Sequence, residues 1–271
     1  MDAPLNVNEY LHLNRGRYIR EVIDFDRVGC RLYLTGHSEV AATDLPHYHD
    51  TAHLSFIIDG GVVDRRGSFE KERQQCELMF FRSGEMHQSI YYGFPVRNLN
   101  IEFDSQFFAD NDIDESQFSE LLNDESEARL AMIRLLRELT FRDPDMKESV
   151  ESLLIGLCEG KVKVGRSRPA WLDRVAEILN DEWNCPISMG RLAAAVGVHP
   201  KTISRYFPIY FGCSFGQYRR RLRISRAVGL MRSQPASLTQ IALECGFFDQ
   251  SHFVTAFKKL TGILPKQFRQ I

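Results

Sequence analysis

A chain of 271 residues with 44% apolar and 26% charged side chains is long enough for two domains of unequal size, and this composition sets aside a disordered or collagenous protein. No run approaches the roughly 18 uninterrupted apolar residues of a membrane span, and six scattered cysteines without a C-x-x-C pair argue against a zinc ribbon or a disulfide framework. The net charge of −2 conceals a division: residues 170–271 hold 14 Lys and Arg against 6 Asp and Glu, a net +8, while residues 1–169 hold 20 against 30, a net −10. A basic end joined to an acidic end points to a polyanionic partner for one half only.

Residues 1–10 carry two acidic side chains, no basic one and no apolar core, unlike a secretory signal, so a cytoplasmic protein with reduced thiols and no membrane contact is expected. Short strand-like runs follow: residues 53–58 (HLSFII), a turn predicted at Asp59, Gly60 and Gly61, residues 76–81 (CELMFF), and the alternating residues 99–103 (LNIEF). Strands spaced by turn residues suggest a small barrel or sandwich. Tyr33, Phe56, Tyr91 and Tyr92 can offer stacking surfaces to a ligand or simply fill its core.

His47, His49, His53 and Gly60 have a spacing that resembles the first metal-binding motif of cupins, with His53 where many members have Glu. Gly84 and His87 resemble the end of the second motif, although Arg82 and Tyr91 depart from it. Two histidines two apart on a strand share a face. His47, His49, His53 and His87 can therefore converge as nitrogen ligands for zinc, nickel or iron, or serve as hydrogen-bonding and packing groups without metal. The fold requires no cofactor; a divalent metal is the one cofactor this pattern accommodates. An enzymatic cupin is the rival in another class, and a non-enzymatic role is preferred because a histidine-bearing barrel joined to a basic, polyanion-binding half suffices without catalysis.

Beyond Asp114 the period becomes helical, with Leu130, Ile133, Leu136 and Leu139, then Val150, Leu153, Leu154 and Leu157, forming two apolar stripes. They suit either a homodimer interface or packing on the barrel. Residues 159–169, with two glycines, four basic residues and a closing proline, read as a connector. The expected organisation is a sensing and dimerisation domain at 1–158, a linker at 159–169 and a helical domain at 170–271.

That last segment contains a repeat. Residues 192–198 match residues 241–247 at an offset of 49; at an offset of 50, Ile203, Phe207, Gly212, Tyr218 and Arg219 match Phe253, Phe257, Gly262, Phe268 and Arg269. Each copy has a short apolar helix, a glycine suited to a tight turn, and a second helix with apolar residues four apart, which is a helix-turn-helix. Lys201, Ser204 and Arg205 form the outward face of the first second-helix. In the other copy, Ser237 and Gln240 form a capping box, Asp249 caps the second helix, and Gln250, Ser251, Val254 and Thr255 face outward. Between the copies a helix beginning near Phe215 carries Arg219 and Arg220, candidates for holding phosphates.

Ile241, Ala242, Gly246, Phe247, Ser251, His252, Phe253, Phe257, Lys258, Lys259, Gly262, Pro265, Phe268 and Arg269 resemble the signature of the AraC/XylS family of transcription activators, over residues 170–271. The resemblance implies seven helices in this half, two recognition helices entering successive major grooves of double-stranded DNA, and base contacts at Lys201, Ser204, Arg205, Gln250, Ser251 and Thr255. It also implies an N-terminal cupin-like β-barrel sensing a small molecule, of which a sugar is one type, a homodimer, and RNA polymerase as a partner. Pro208 departs from the family pattern, and a proline inside a helix removes a hydrogen bond and can kink it.

Overall fold

The computed structural model describes residues 11–13, 22–37, 45–122, 125–142, 144–158 and 169–271. Backbone contacts divide the chain into two compact units, Met1–Glu125 and Ser126–Ile271. The sequence-predicted connector at 159–169 lies, apart from Pro169, outside the described residues.

The first unit holds β1 (Leu11–Leu13), β2 (Val22–Phe25), β3 (Cys30–His37), β4 (His47–His49), β5 (Ala52–Arg66), β6 (Phe69–Arg73), β7 (Leu78–Phe81) and β8 (Gln88–Phe103), then α1 (Ser105–Asp110) and α2 (Glu115–Leu122). The main sheet runs β2-β3-β8-β5-β6, with β7 also pairing β5, while β1 and β4 form a parallel pair. Two expectations are corrected. Among the described residues β2 and β6 stay at the ends of the sheet, so the barrel is not closed. The turn expected at Asp59–Gly61 is instead an irregularity within β5, whose register on β8 shifts between Ile57 and Asp59 and again between Asp59 and Gly61. Gly60 adopts φ +76°, and a Cβ there would stand 2.6 Å from Val96 Cγ2 and 3.0 Å from Gly93 O. The two glycines thus permit a bulge and a close strand crossing without ending the strand.

Both faces of the last part of β8, residues 98–103, are buried. Leu99, Ile101 and Phe103 lie in register with Leu34 and Leu32 of β3 and with Phe56, Leu54 and Ala52 of β5. Phe103 continues this apolar face into Phe107 of α1 and Phe118 of α2, with ring centroids 4.7 and 5.0 Å away. Asp104 starts α1 by accepting from the backbone N–H groups of Gln106 and Phe107. The alternate residues on the opposite face are polar.

The second unit comprises α3 (Glu125–Phe141), α4 (Met146–Cys158), α5 (Ala170–Asp181), α6 (Met189–Val196), α7 (Pro200–Phe211), α8 (Phe215–Ser233), α9 (Leu238–Glu244), α10 (Gln250–Thr261) and α11 (Pro265–Phe268), of which Ser126 is the first residue assigned to this unit. The seven helices from α5 onward agree with the expected number. The unit begins earlier than 170 because α3 is tied to later helices: Arg129, 6% exposed, donates to Ser225 O and Oγ of α8, and Arg134 Nε donates to Leu260 O at 2.7 Å. Leu130, Ile133, Leu136 and Leu139, the stripe suited either to a homodimer interface or to packing on the barrel, are buried within the single chain.

Candidate nucleic-acid interface and sensor site

The two helix-turn-helix copies are built alike. Ser188 caps α6 and Ser237 caps α9 through the predicted box with Gln240. His199 caps α7 and Asp249 caps α10, whose first N–H groups are thereby satisfied. Ile203 and Phe207 of α7, and Phe253 and Phe257 of α10, are fully buried, so these apolar residues fix which faces of the helices look outward. Helix α7 runs through Pro208 to Phe211 before Gly212 ends it in the left-handed conformation.

Lys201, Ser204 and Arg205 are exposed on α7, and Gln250, Ser251 and Thr255 on α10, as the sequence predicts. Local bonds already shape this surface. Thr239 donates to Gln250 Oε1 at 2.6 Å, which leaves the Gln250 amide N–H groups to face outward, and Thr255 Oγ1 donates back to Ser251 O. Sequence reasoning missed Tyr206, exposed beside Arg205, and Phe248, 87% exposed just before α10.

The arginines of α8 divide by use. Arg220 is exposed, in keeping with a phosphate contact. Arg219 instead donates to Cys185 O at 2.5 Å and Ile187 O at 3.3 Å. Arg223 donates to Trp183 O, Cys185 O and Gly246 O, joining the segment before α6 to the turn of the second copy. Burial pulls both guanidiniums below the ordinary arginine value. A Cβ on Gly246 would lie 2.4 Å from Asn184 O and 2.9 Å from Arg223 Nη2, so the second turn is fitted against this clamp.

In the first unit the structure brings His47, His49 and His87 together: one ring nitrogen of each lies within 4.8 Å of the others, and all three rings are buried. Backbone hydrogen bonds in both directions between His47 and His87, each 2.9 Å, fix that juxtaposition. His53 stands outside the group, its ring 4.0 Å from His49 and stacked 4.6 Å from Phe81. Burial is the main cause that pushes the His87 imidazole down to about 3 and that of His53 well below the usual range, with the neighbouring histidines adding to it.

A second polar group was not foreseen. Tyr33 and Thr35 of β3, Ser55 of β5, and Asn98, Asn100 and Glu102 of β8 share the face opposite the apolar one, and all are buried. Tyr33 Oη donates to Glu102 Oε1 and Asn100 Nδ2 donates to Thr35 Oγ1, each at 3.0 Å, whereas buried Asn98 Oδ1 has no hydrogen-bond partner among the described residues. The alternation in residues 99–103 was the available signal, but a polar residue at every second position reads the same whether its face meets solvent or an interior.

Comparison with known proteins finds similarity over part of this chain. Residues 192–271 match a helix-turn-helix domain. The HTH-type transcriptional activator RhaR of Salmonella typhimurium is 28% identical over 155 residues, 54% of this chain and 55% of that protein. The chain thus spans about half the length of the curated relatives it matches. Among solved structures, an AraC-type transcriptional regulator from Chromobacterium violaceum is 29% identical over 37% of this chain and 89% of its own, with a TM-score of 0.36. The C-terminal domain of AraT, a response regulator from Geobacillus stearothermophilus, is 27% identical over 38% of this chain and 88% of its own, with a TM-score of 0.37. These relatives are regulators, not enzymes. No described helix is long and apolar enough to cross a membrane.

Proposed function

We propose that the chain is an AraC/XylS-family regulator, a sequence-specific DNA-binding transcription activator whose first unit responds to a small polar effector. The observation that carries the DNA half is the pair of recognition helices presenting exposed Lys201, Ser204 and Arg205 and exposed Gln250, Ser251 and Thr255 from one clamped unit. Arginine and lysine can bond a guanine edge, glutamine an adenine edge, and the threonine methyl a thymine methyl. Exposed Arg220 and the surplus of positive charge supply sequence-independent attraction to phosphates.

The buried polar face of β3, β5 and β8 supports the sensing half. An orphaned buried acceptor such as Asn98 Oδ1 costs about 1–3 kcal/mol. Hydroxyl and amide groups of an effector would offset that cost. Selection of binding sequences from random duplexes by the full-length protein tests the DNA reading. Enrichment of a common sequence supports it, and affinity that is equal for all duplexes contradicts it.

A further inference from the structure

We propose that the second unit holds an anion site of its own, a cleft between α3, α4 and the last turn of α10 that takes a small hydroxylated monocarboxylate. The cleft encloses about 540 Å³, within the roughly 300–1,000 Å³ of small-molecule sites. Arg134 of α3 donates through Nε to Leu260 O at 2.7 Å, which orients the guanidinium, while its Nη1 and Nη2 have no partner among the described residues. Arg137, one turn on, is committed. Its Nη1 donates to the carboxylate of buried Glu138, and its stem lies over Gly262, where an added Cβ would stand 3.1 Å from Arg137 Cδ. Lys259 of α10 is exposed and belongs to no ion pair among the described residues. On α4, Ser149 and Ser152 stand three residues apart and so share the face lining the cleft, with Glu148 beside them.

Charge and donor type select the ligand. Arg134, Arg137 and Lys259 against Glu138 and Glu148 leave a net +1, which one carboxylate neutralises. The free edge of Arg134 fits a carboxylate bidentately, and Lys259 adds a point charge. The Ser149 and Ser152 hydroxyls donate and accept, and Glu148 only accepts, so the rest of the ligand meets groups suited to hydroxyls and not to a second anionic group. Leu153 is the one large apolar side chain among the described lining residues. Position separates the cleft from the surface proposed to read DNA. Gln250 and Lys259 are about 13 Å apart along α10 at a rise of 1.5 Å per residue, so the cleft lies at the opposite end of that helix. A carboxylate held by Arg134 and Lys259 together bridges α3 to α10, and any factor by which it changes DNA affinity is returned by DNA in anion affinity. This regulatory meaning rests on the DNA reading; the binding chemistry does not.

The test is isothermal titration calorimetry of the full-length protein with gluconate, with glucitol as the uncharged counterpart on the same carbon chain. One gluconate per chain is expected, with a Kd of ~1 mM or tighter, and no binding heat from glucitol. Lys259→Gln should weaken gluconate roughly 10-fold or more, the loss expected for a charged hydrogen bond. Arg134→Lys, which keeps the charge and loses the fork, should weaken it as well. The Lys259 side chain is exposed and makes no hydrogen bond among the described residues, so its variant serves even if Arg134→Lys fails to fold. No gluconate heat, equal binding of glucitol, or an affinity unchanged in Lys259→Gln overturns the site. Gluconate binding with unchanged DNA affinity keeps the site and contradicts the regulatory link. Gluconate binding by a protein whose affinity is equal for all duplexes keeps the site and removes the DNA reading alone.

Discussion

Arg205 and Arg223 have the same chemistry and opposite uses. Arg205 is exposed at the start of a recognition helix, while Arg223 spends its donors on three backbone carbonyls. Arg205→Ala should cost about 1–3 kcal/mol on an enriched sequence and much less on random DNA, as measured by fluorescence anisotropy. Equal losses on both would make Arg205 a phosphate contact. Arg223→Met should instead lower the stability of the second unit by about 2 kcal/mol in urea unfolding, with Arg223→Lys a poor rescue because an ammonium lacks the planar fork. Stability unchanged in the methionine variant would show that the clamp is dispensable. Cys245 makes a further test: burial pushes its thiol up to about 12 from 9.0. The folded state holds the proton that the unfolded state releases, so this cysteine removes stability as pH rises from about 9 toward 12, by up to about 4 kcal/mol over the window. Cys245→Ala should flatten the alkaline fall in urea midpoint relative to the parent chain; parallel curves would refute the assignment.

At the scale of elements, β5 and β8 organise the first unit. Gly60 lets β5 bulge where it crosses β8, so Gly60→Ala, forced into positive φ against Val96 and Gly93, should destabilise this unit by about 2 kcal/mol or more. Thermal unfolding followed by circular dichroism would read the loss, and an unshifted first transition would contradict it. The helices were largely legible beforehand because their caps and apolar spacing are local: Ser237 with Gln240, Asp249, and the buried Ile203–Phe207 and Phe253–Phe257 pairs all stand where the repeat puts them. The glycine pair at 60–61 was misread because Gly-Gly serves a turn and a bulge equally well. Tertiary partners were not legible. Nothing in the spacing of Arg219 and Arg223 reveals that carbonyls of residues 183–187 accept from both, and nothing around Asn98 reveals that a second sheet face is covered.

At the scale of the whole molecule, the charge split and the duplication point to DNA from the sequence alone, since both are properties of composition and order. The histidines were visible as a set of four, yet only the fold separates His53 from the three whose nitrogens converge. The extent of the second unit also depends on contacts distant in sequence, such as Arg134 with Leu260. Its two recognition helices are the centre of the account. Hydroxyl-radical footprinting of the full-length protein on an enriched duplex tests them together. Two protected patches about one helical turn, roughly 10.5 base pairs, apart on one face of the DNA are predicted, with the patch under α10 weakened alone by Gln250→Ala. A single patch, or protection without sequence preference, would contradict the claim that both helices read DNA.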